Sequence, residues 1–255
     1  MPQDPAPQPA ESTPADTFAV RSDLNDLYTG FYDGTSDWRE LGAIAKAENI
    51  LELGQGLPVE TVLDIGAGEG AVLERLSRSS LGSEFHALEI SKSGAAAIQS
   101  RGIPGLAQCS VYDGYHIPYE DDRFDLAILS HVLEHAEYPR RLLYEAGRVA
   151  RHVFIEVPLE ENNRAPRDYR DDGVGHINHY SHRTIRKLAQ SSGFTVLNER
   201  QIATPYSLIR YKYGWRAIFK YGPKAAMLRL FPNWALDRYT YDGALICRSP
   251  LQSPV

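Results

Sequence analysis

Residues 62–71 read Val-Leu-Asp-Ile-Gly-Ala-Gly-Glu-Gly-Ala, an apolar run that passes through glycines into helix-like spacing. Glycine allows a sharp turn and lets a ligand approach the backbone with no Cβ in the way. The first turn of a following helix offers unpaired N–H groups. Asp64 stands two residues before the first glycine, Gly66, with Gly68 beyond it. A carboxylate there would repel a pyrophosphate but can help hold a cationic amino-acid tail. Glu89, at the end of the next apolar run, sits where a carboxylate can accept both hydroxyls of a ribose. Asp113, after a third run, is placed to accept from an adenine amino group.

Three acids around one nucleoside pocket suit adenosine linked to methionine. The loop also satisfies the loose dinucleotide pattern, with Gly66, Gly68 and Ala71 at its small positions, so by itself it discriminates little. Asp64 is what argues against a dinucleotide and hence against an NAD-dependent oxidoreductase.

Histidines supply the candidate bases. Ser130-His131-Val132-Leu133-Glu134-His135 begins where a fourth strand is expected to end, at the edge that faces the ligand crevice in open α/β sheets. His131 is the first candidate to take a hydroxyl proton, with packing as the alternative. His135 more simply shapes the turn. A second polar cluster, residues 171–180, contains Asp171, Asp172, His176 and His179. His176 and His179 are further candidates for substrate contact or base. Carboxylates beside paired histidines could also hold a metal, but no spacing enforces one, so no metal ligand is assigned.

The elements that must position these groups alternate. Strands are expected at 61–65, 85–90, 106–111, 124–130 and 153–157, and helices at 70–78, 95–99 and 138–149, with Ser91 capping the second. That order predicts a parallel sheet covered on both faces. Ser181 starts a helix that ends near Gly193, followed by a strand at 194–197 and a last one at 244–247. Two closing strands without a crossover helix suit an antiparallel edge. Their separation predicts an inserted subdomain over 203–239. Residues 206–241 carry seven Lys or Arg, one acid (Asp237) and ten aromatics, so they hold +6 while the rest of the chain holds −12. A lid with Tyr211 and Trp215 facing the crevice is expected; contact with a membrane surface through Arg210, Lys212, Arg216 and Lys220 is the alternative.

Residues 18–58 read as a helical cap, in which Tyr28, Tyr32 and Trp38 close over the ligand and Arg39 pairs with its carboxylate. The plainer alternative is aromatic packing. Residues 1–17, rich in Pro, Ala and Gln, are expected to be a disordered arm. The overall charge of −6 argues against a nucleic-acid binder. Two distant cysteines make no disulfide framework. Without a signal-like start or a membrane-length apolar run, a soluble cytoplasmic protein is expected.

Read consecutively, VLDIGAGEG, ALEIS and VYDGYHIPYEDDRFDLAILSHVLEH resemble the ordered motifs of class I S-adenosylmethionine-dependent methyltransferases. The resemblance covers roughly residues 60–200. It implies an α/β, Rossmann-like seven-stranded sheet, mostly parallel with an antiparallel edge and helices on both faces, here over 59–202 and 240–249. It implies S-adenosyl-L-methionine as cofactor, with Asp64, Gly66 and Gly68 at its methionine end. Glu89 and Ile90 would serve the ribose and adenine, Asp113 and Gly114 the adenine edge, and Ser130 faces the same crevice. GHINHYSHRTIRKLAQSSGF resembles a late segment of the subgroup acting on natural products and cell-surface sugars. The expected acceptor is therefore a hydroxyl, or an amine, of a small molecule, sugar or glycolipid. One alternative is an aromatic natural product methylated on oxygen or nitrogen; the alternative of another class is a regulatory protein that binds the cofactor without catalysis.

Overall fold

The computed structural model describes residues 37–165 and 175–250. The expected arm, the start of the cap with Tyr28 and Tyr32, and Asp171 and Asp172 lie outside the described residues.

Seven strands form one sheet in the order β3-β2-β1-β4-β5-β7-β6. They are β1 (Thr61–Ile65), β2 (Glu84–Glu89), β3 (Leu106–Val111), β4 (Phe124–Ser130), β5 (Ala150–Leu159), β6 (Thr195–Ile202) and β7 (Tyr241–Arg248). The first five run parallel, and β7 inserts antiparallel between β5 and β6. This is the expected α/β sheet with its antiparallel edge. Strand order reverses between β1 and β4, which opens a crevice above their carboxyl ends.

Side chains along a strand alternate between faces, and the central strands are apolar at nearly every position, so both faces must be covered. Val62 joins one core with Ile50, Leu53, Leu73, Leu76 and Ile98. Leu63 and Ile65 join the other with Leu142, Leu143, Ala146 and Ile185. The first core is closed by α1 (Asp37–Leu53), α2 (Ala71–Ser77) and α3 (Lys92–Ser100), the second by α4 (Pro139–Val149) and α5 (His182–Ser191). Local signals set the starts. Ser91 Oγ accepts from Gly94 N at 3.3 Å to cap α3, and Ser181 and Thr184 form a reciprocal capping box on α5.

The closing strands are longer than the expected 153–157, 194–197 and 244–247. β5 runs through Pro158 to Leu159 because its last register pair with β4 is Ser130↔Glu156. Beyond that point the missing proline N–H interrupts no β4 ladder, while β7 continues alongside. Between β6 and β7 lie α6 (Tyr206–Tyr213), a 3₁₀ turn (Gly214–Arg216), α7 (Ala217–Leu230) and α8 (Pro232–Leu236). Leu208, Ile209, Ala217 and Ala235 are buried there, and Tyr241 Oη donates to Lys224 O at 2.9 Å. Among the described residues no helix is long and apolar enough to cross a membrane. Cys109 on β3 and Cys247 on β7 are free thiols with four strands between them.

Candidate active site

The chain leaves β1 through Gly66 (φ 75°), Gly68 (φ 60°) and Gly70 (φ 81°), the last forming the N-cap of α2. A Cβ on Gly66 would stand 2.7 Å from Val132 Cγ2, so this turn needs glycine for its conformation and for its neighbour. Glu89 braces the loop: its Oε2 accepts from Gly68 N at 2.8 Å and its Oε1 from Ser91 N at 3.0 Å. Burial pushes the Glu89 carboxyl above its ordinary value despite these backbone bonds. Asp64 is buried on β1, and burial, opposed by nearby Lys46 and reinforced by Glu89, pushes its pKa up to about 7.

A cavity of about 580 Å³ opens above this loop. Of the residues read from sequence, Trp38, Arg39, Asp64, Gly66, Gly68, Glu89, Ile90, Ser130, His131, His135 and His176 line it. Several are held differently from expectation. Arg39 Nε donates to Glu69 Oε2 at 2.8 Å, tying α1 to the glycine loop. Ser130 Oγ donates to Glu156 Oε2 at 2.7 Å.

Among the described residues, three expected site residues do not line the cavity. Asp113 is exposed, and its Oδ1 accepts from Tyr115 N at 2.8 Å and His116 N at 2.6 Å, closing the turn after β3. Gly114 is buried within that turn. His179 is exposed. The corrected base candidates are therefore His131 and His176.

His131 follows β4 with φ 58°, a left-handed conformation unusual for a non-glycine residue. Its backbone N–H donates to Glu156 O at 2.8 Å, which fixes the turn. Its Nδ1 lies 3.1 Å from Glu134 Oε1 and its Nε2 3.9 Å from Asp242 Oδ1. Burial and Lys46 lower its pKa, but Glu134 and Asp242 outweigh them and hold the imidazole above its ordinary value. His135 Nδ1 lies 3.0 Å from Gly175 O, and burial pulls this ring's pKa down. His176 Nδ1 lies 2.8 Å from Glu160 Oε2.

Four lining residues are not among those expected from sequence. Lys46 and Asn49 project from α1, and Asn49 Nδ2 donates to Glu156 Oε1 at 2.6 Å. Glu156 sits within an apolar strand, and buried carboxylates in such runs are worth singling out in a sequence. Asp242 opens β7; because that strand is antiparallel, its first residues lie at the carboxyl ends of the parallel ones.

A family model described as a methyltransferase domain matches residues 38–199. An uncharacterized protein of Methanocaldococcus jannaschii is 27% identical over 188 residues, covering 69% of this chain and 83% of that one. Among solved structures, the [4+2]-cyclase SpnF superposes with a TM-score of 0.61 at 18% identity, over 90% of this chain and 92% of its own. The magnesium protoporphyrin IX methyltransferase of Synechocystis, solved with bound S-adenosylhomocysteine, gives 0.57 at 14% identity, over 89% and 99%. Likenesses at these identities concern the fold.

Proposed function

This chain belongs to the methyltransferase-domain family, and from that premise we propose that it methylates a hydroxyl oxygen of a small molecule, sugar or glycolipid. S-adenosyl-L-methionine is the cofactor, and when bound it supplies a methyl group on a sulfonium, already an excellent leaving group. The site suits it: a glycine loop bare enough for close approach, a buried carboxylate at Asp64 toward a cationic tail, and Glu89 for a ribose diol.

The observation that carries the oxygen-acceptor reading is that His131 lines the same cavity as Asp64 and Glu89. Glu134 beside Nδ1 orients the ring and stabilises its positive charge, leaving Nε2 toward the cavity-lining Asp242 to receive the acceptor's proton. Alignment of nucleophile and methyl by the cavity walls supplies much of the remaining rate. Incubating the protein with methyl-labelled cofactor and a panel of sugars, glycolipids and phenols tests this. An oxygen-methylated product that vanishes in His131→Ala supports the reading; a labelled amine product made equally well by His131→Ala refutes it.

The insertion favours an amphiphilic acceptor. Tyr211 and Trp215 do not line the cavity; Trp215 is 74% and Phe219 70% exposed, with Arg210, Lys212, Arg216 and Lys220 also exposed beside them. The expectation that these rings face the crevice is corrected, and the cavity-facing groups of this region are Thr204, Pro205 and Leu208. Interleaved rings and cations on an exposed face suit an anionic lipid surface, where rings enter the boundary and cations meet headgroups.

A further inference from the structure

We infer that Glu134, His135 and His176 form a binding site for one divalent transition-metal ion, of the zinc type, at the edge of the acceptor cavity. One carboxylate oxygen of Glu134 and one ring nitrogen of each histidine all lie within 4.8 Å of one another. His135 and His176 line the cavity, so the cluster opens onto it. Two imidazoles and one carboxylate are a donor set that borderline divalent ions favour over magnesium or calcium, and one that leaves a coordination position for a further ligand.

Glu134 gives the independent argument. It is wholly buried; its Oε1 meets His131 Nδ1 at 3.1 Å, while its Oε2 has no hydrogen-bond partner among the described residues. The His131 contact satisfies at most one of the two oxygens and does nothing for Oε2. A buried carboxylate short of donors is costly, and a cation meets that deficit directly.

The two histidines carry the outer contacts that orient metal-ligating imidazoles. Nδ1 of His135 faces a backbone carbonyl, and Nδ1 of His176 faces the Glu160 carboxylate. Acceptors of this kind fix the orientation of an imidazole that ligates a metal. The backbone is built to bring His176 to this place. Ile177 N and Asn178 N both donate to Glu134 O, at 2.9 and 3.0 Å, and Asn178 Nδ2 donates to Ala136 O at 2.6 Å and Leu133 O at 3.1 Å. The rings of His135 and His176 meet edge to face at 4.9 Å. Metal–ligand bonds of about 2.0–2.2 Å would draw the three donors inward by roughly an ångström.

The role of the site rests on the proposed methyl transfer, but its existence does not. An open position here would take an acceptor oxygen, holding a hydroxyl or vicinal diol beside His131 and favouring its deprotonated form.

The test uses the full chain, stripped with chelator and titrated calorimetrically with zinc chloride, then separately with magnesium chloride. One equivalent of zinc should bind, and magnesium should bind far more weakly. His176→Ala should weaken zinc binding at least tenfold, and Glu134→Gln likewise. S-adenosylhomocysteine titrated into the same samples reads the cofactor site separately, so loss of one reading is distinguishable from loss of the other. Because Glu134→Gln alters a buried group, His176→Ala, at the cavity wall, decides if the former fails to fold. Absence of a stoichiometric zinc site, or equal zinc affinity in His176→Ala, overturns the inference.

Discussion

Nδ1 of His131 lies 3.1 Å from Oε1 of Glu134, three residues further along and wholly buried. The pair exists because the chain turns sharply at the end of β4, with His131 in a left-handed conformation and its N–H held by Glu156 O. A surface histidine would find a mobile partner; this one has a fixed one, and its other nitrogen remains for chemistry.

If His131 Nε2 receives the acceptor proton, His131→Ala should lower turnover by roughly a hundred- to ten-thousand-fold while cofactor affinity barely changes. Steady-state kinetics paired with calorimetric cofactor binding checks this. A proportionate loss of both would assign His131 to binding instead.

Gly66→Ala should abolish cofactor binding and cost about 1–3 kcal/mol of stability, because it strains a left-handed residue and drives a methyl against Val132. Chemical denaturation measures the second effect. Gly102→Ala is the control: its φ is also positive, at 63°, but nothing lies within 4 Å of the added Cβ. It should show the backbone strain while keeping cofactor binding.

If Asp64 holds the cationic end of the cofactor, cofactor affinity should depend on pH. The Asp64 carboxyl titrates near 7 in the free protein instead of at 3.8. A raised value in the folded state means its contribution to folding is full below the ordinary value and is lost as pH rises through about 7. Binding of a cationic methionine end runs the other way, since it needs the carboxylate. Affinity should therefore fall by about tenfold from pH 8 to pH 6, as the competent fraction shrinks. Calorimetry at the two pH values on wild type and Asp64→Asn checks it, with the mutant weak at both.

The exposed face of the insertion should bind vesicles containing anionic lipid, and sedimentation should show that binding falling steeply with salt. Replacing Trp215 and Phe219 with serine should remove it without touching cofactor affinity. Binding that ignores both salt and these residues would exclude a membrane role for this surface.

The parallel half of the fold and the glycine loop were legible because local rules govern them: continuous apolar strands, Ser91 and Ser181 as caps, and glycines where φ must be positive. An acid after a strand serves a ligand or a turn equally well in sequence, and the backbone of Tyr115 and His116 engages one oxygen of Asp113, a contact that depends on the turn after β3. Asp242 was invisible because its place depends on β7 running antiparallel beside β5, a contact made from more than eighty residues away. The outward rings of the insertion could not be foreseen either. Alternating aromatics and cations have no single face until α6 and α7 exist, with Ala217 buried and Trp215 and Phe219 left outside. The grouping of His176 with Glu134 depends likewise on Ile177 and Asn178 binding back to the turn after β4.

The central claim is that the cavity above Gly66 is an S-adenosyl-L-methionine site, and titration calorimetry on the intact protein tests it most directly. S-adenosylmethionine and S-adenosylhomocysteine should each bind at one site, and Glu89→Ala should weaken both by about 1.5–3 kcal/mol, the range for hydrogen bonds to a charged group. NAD should give no measurable heat of binding. NAD binding tighter than either sulfur nucleoside, or nucleoside binding indifferent to Glu89→Ala, would contradict the account.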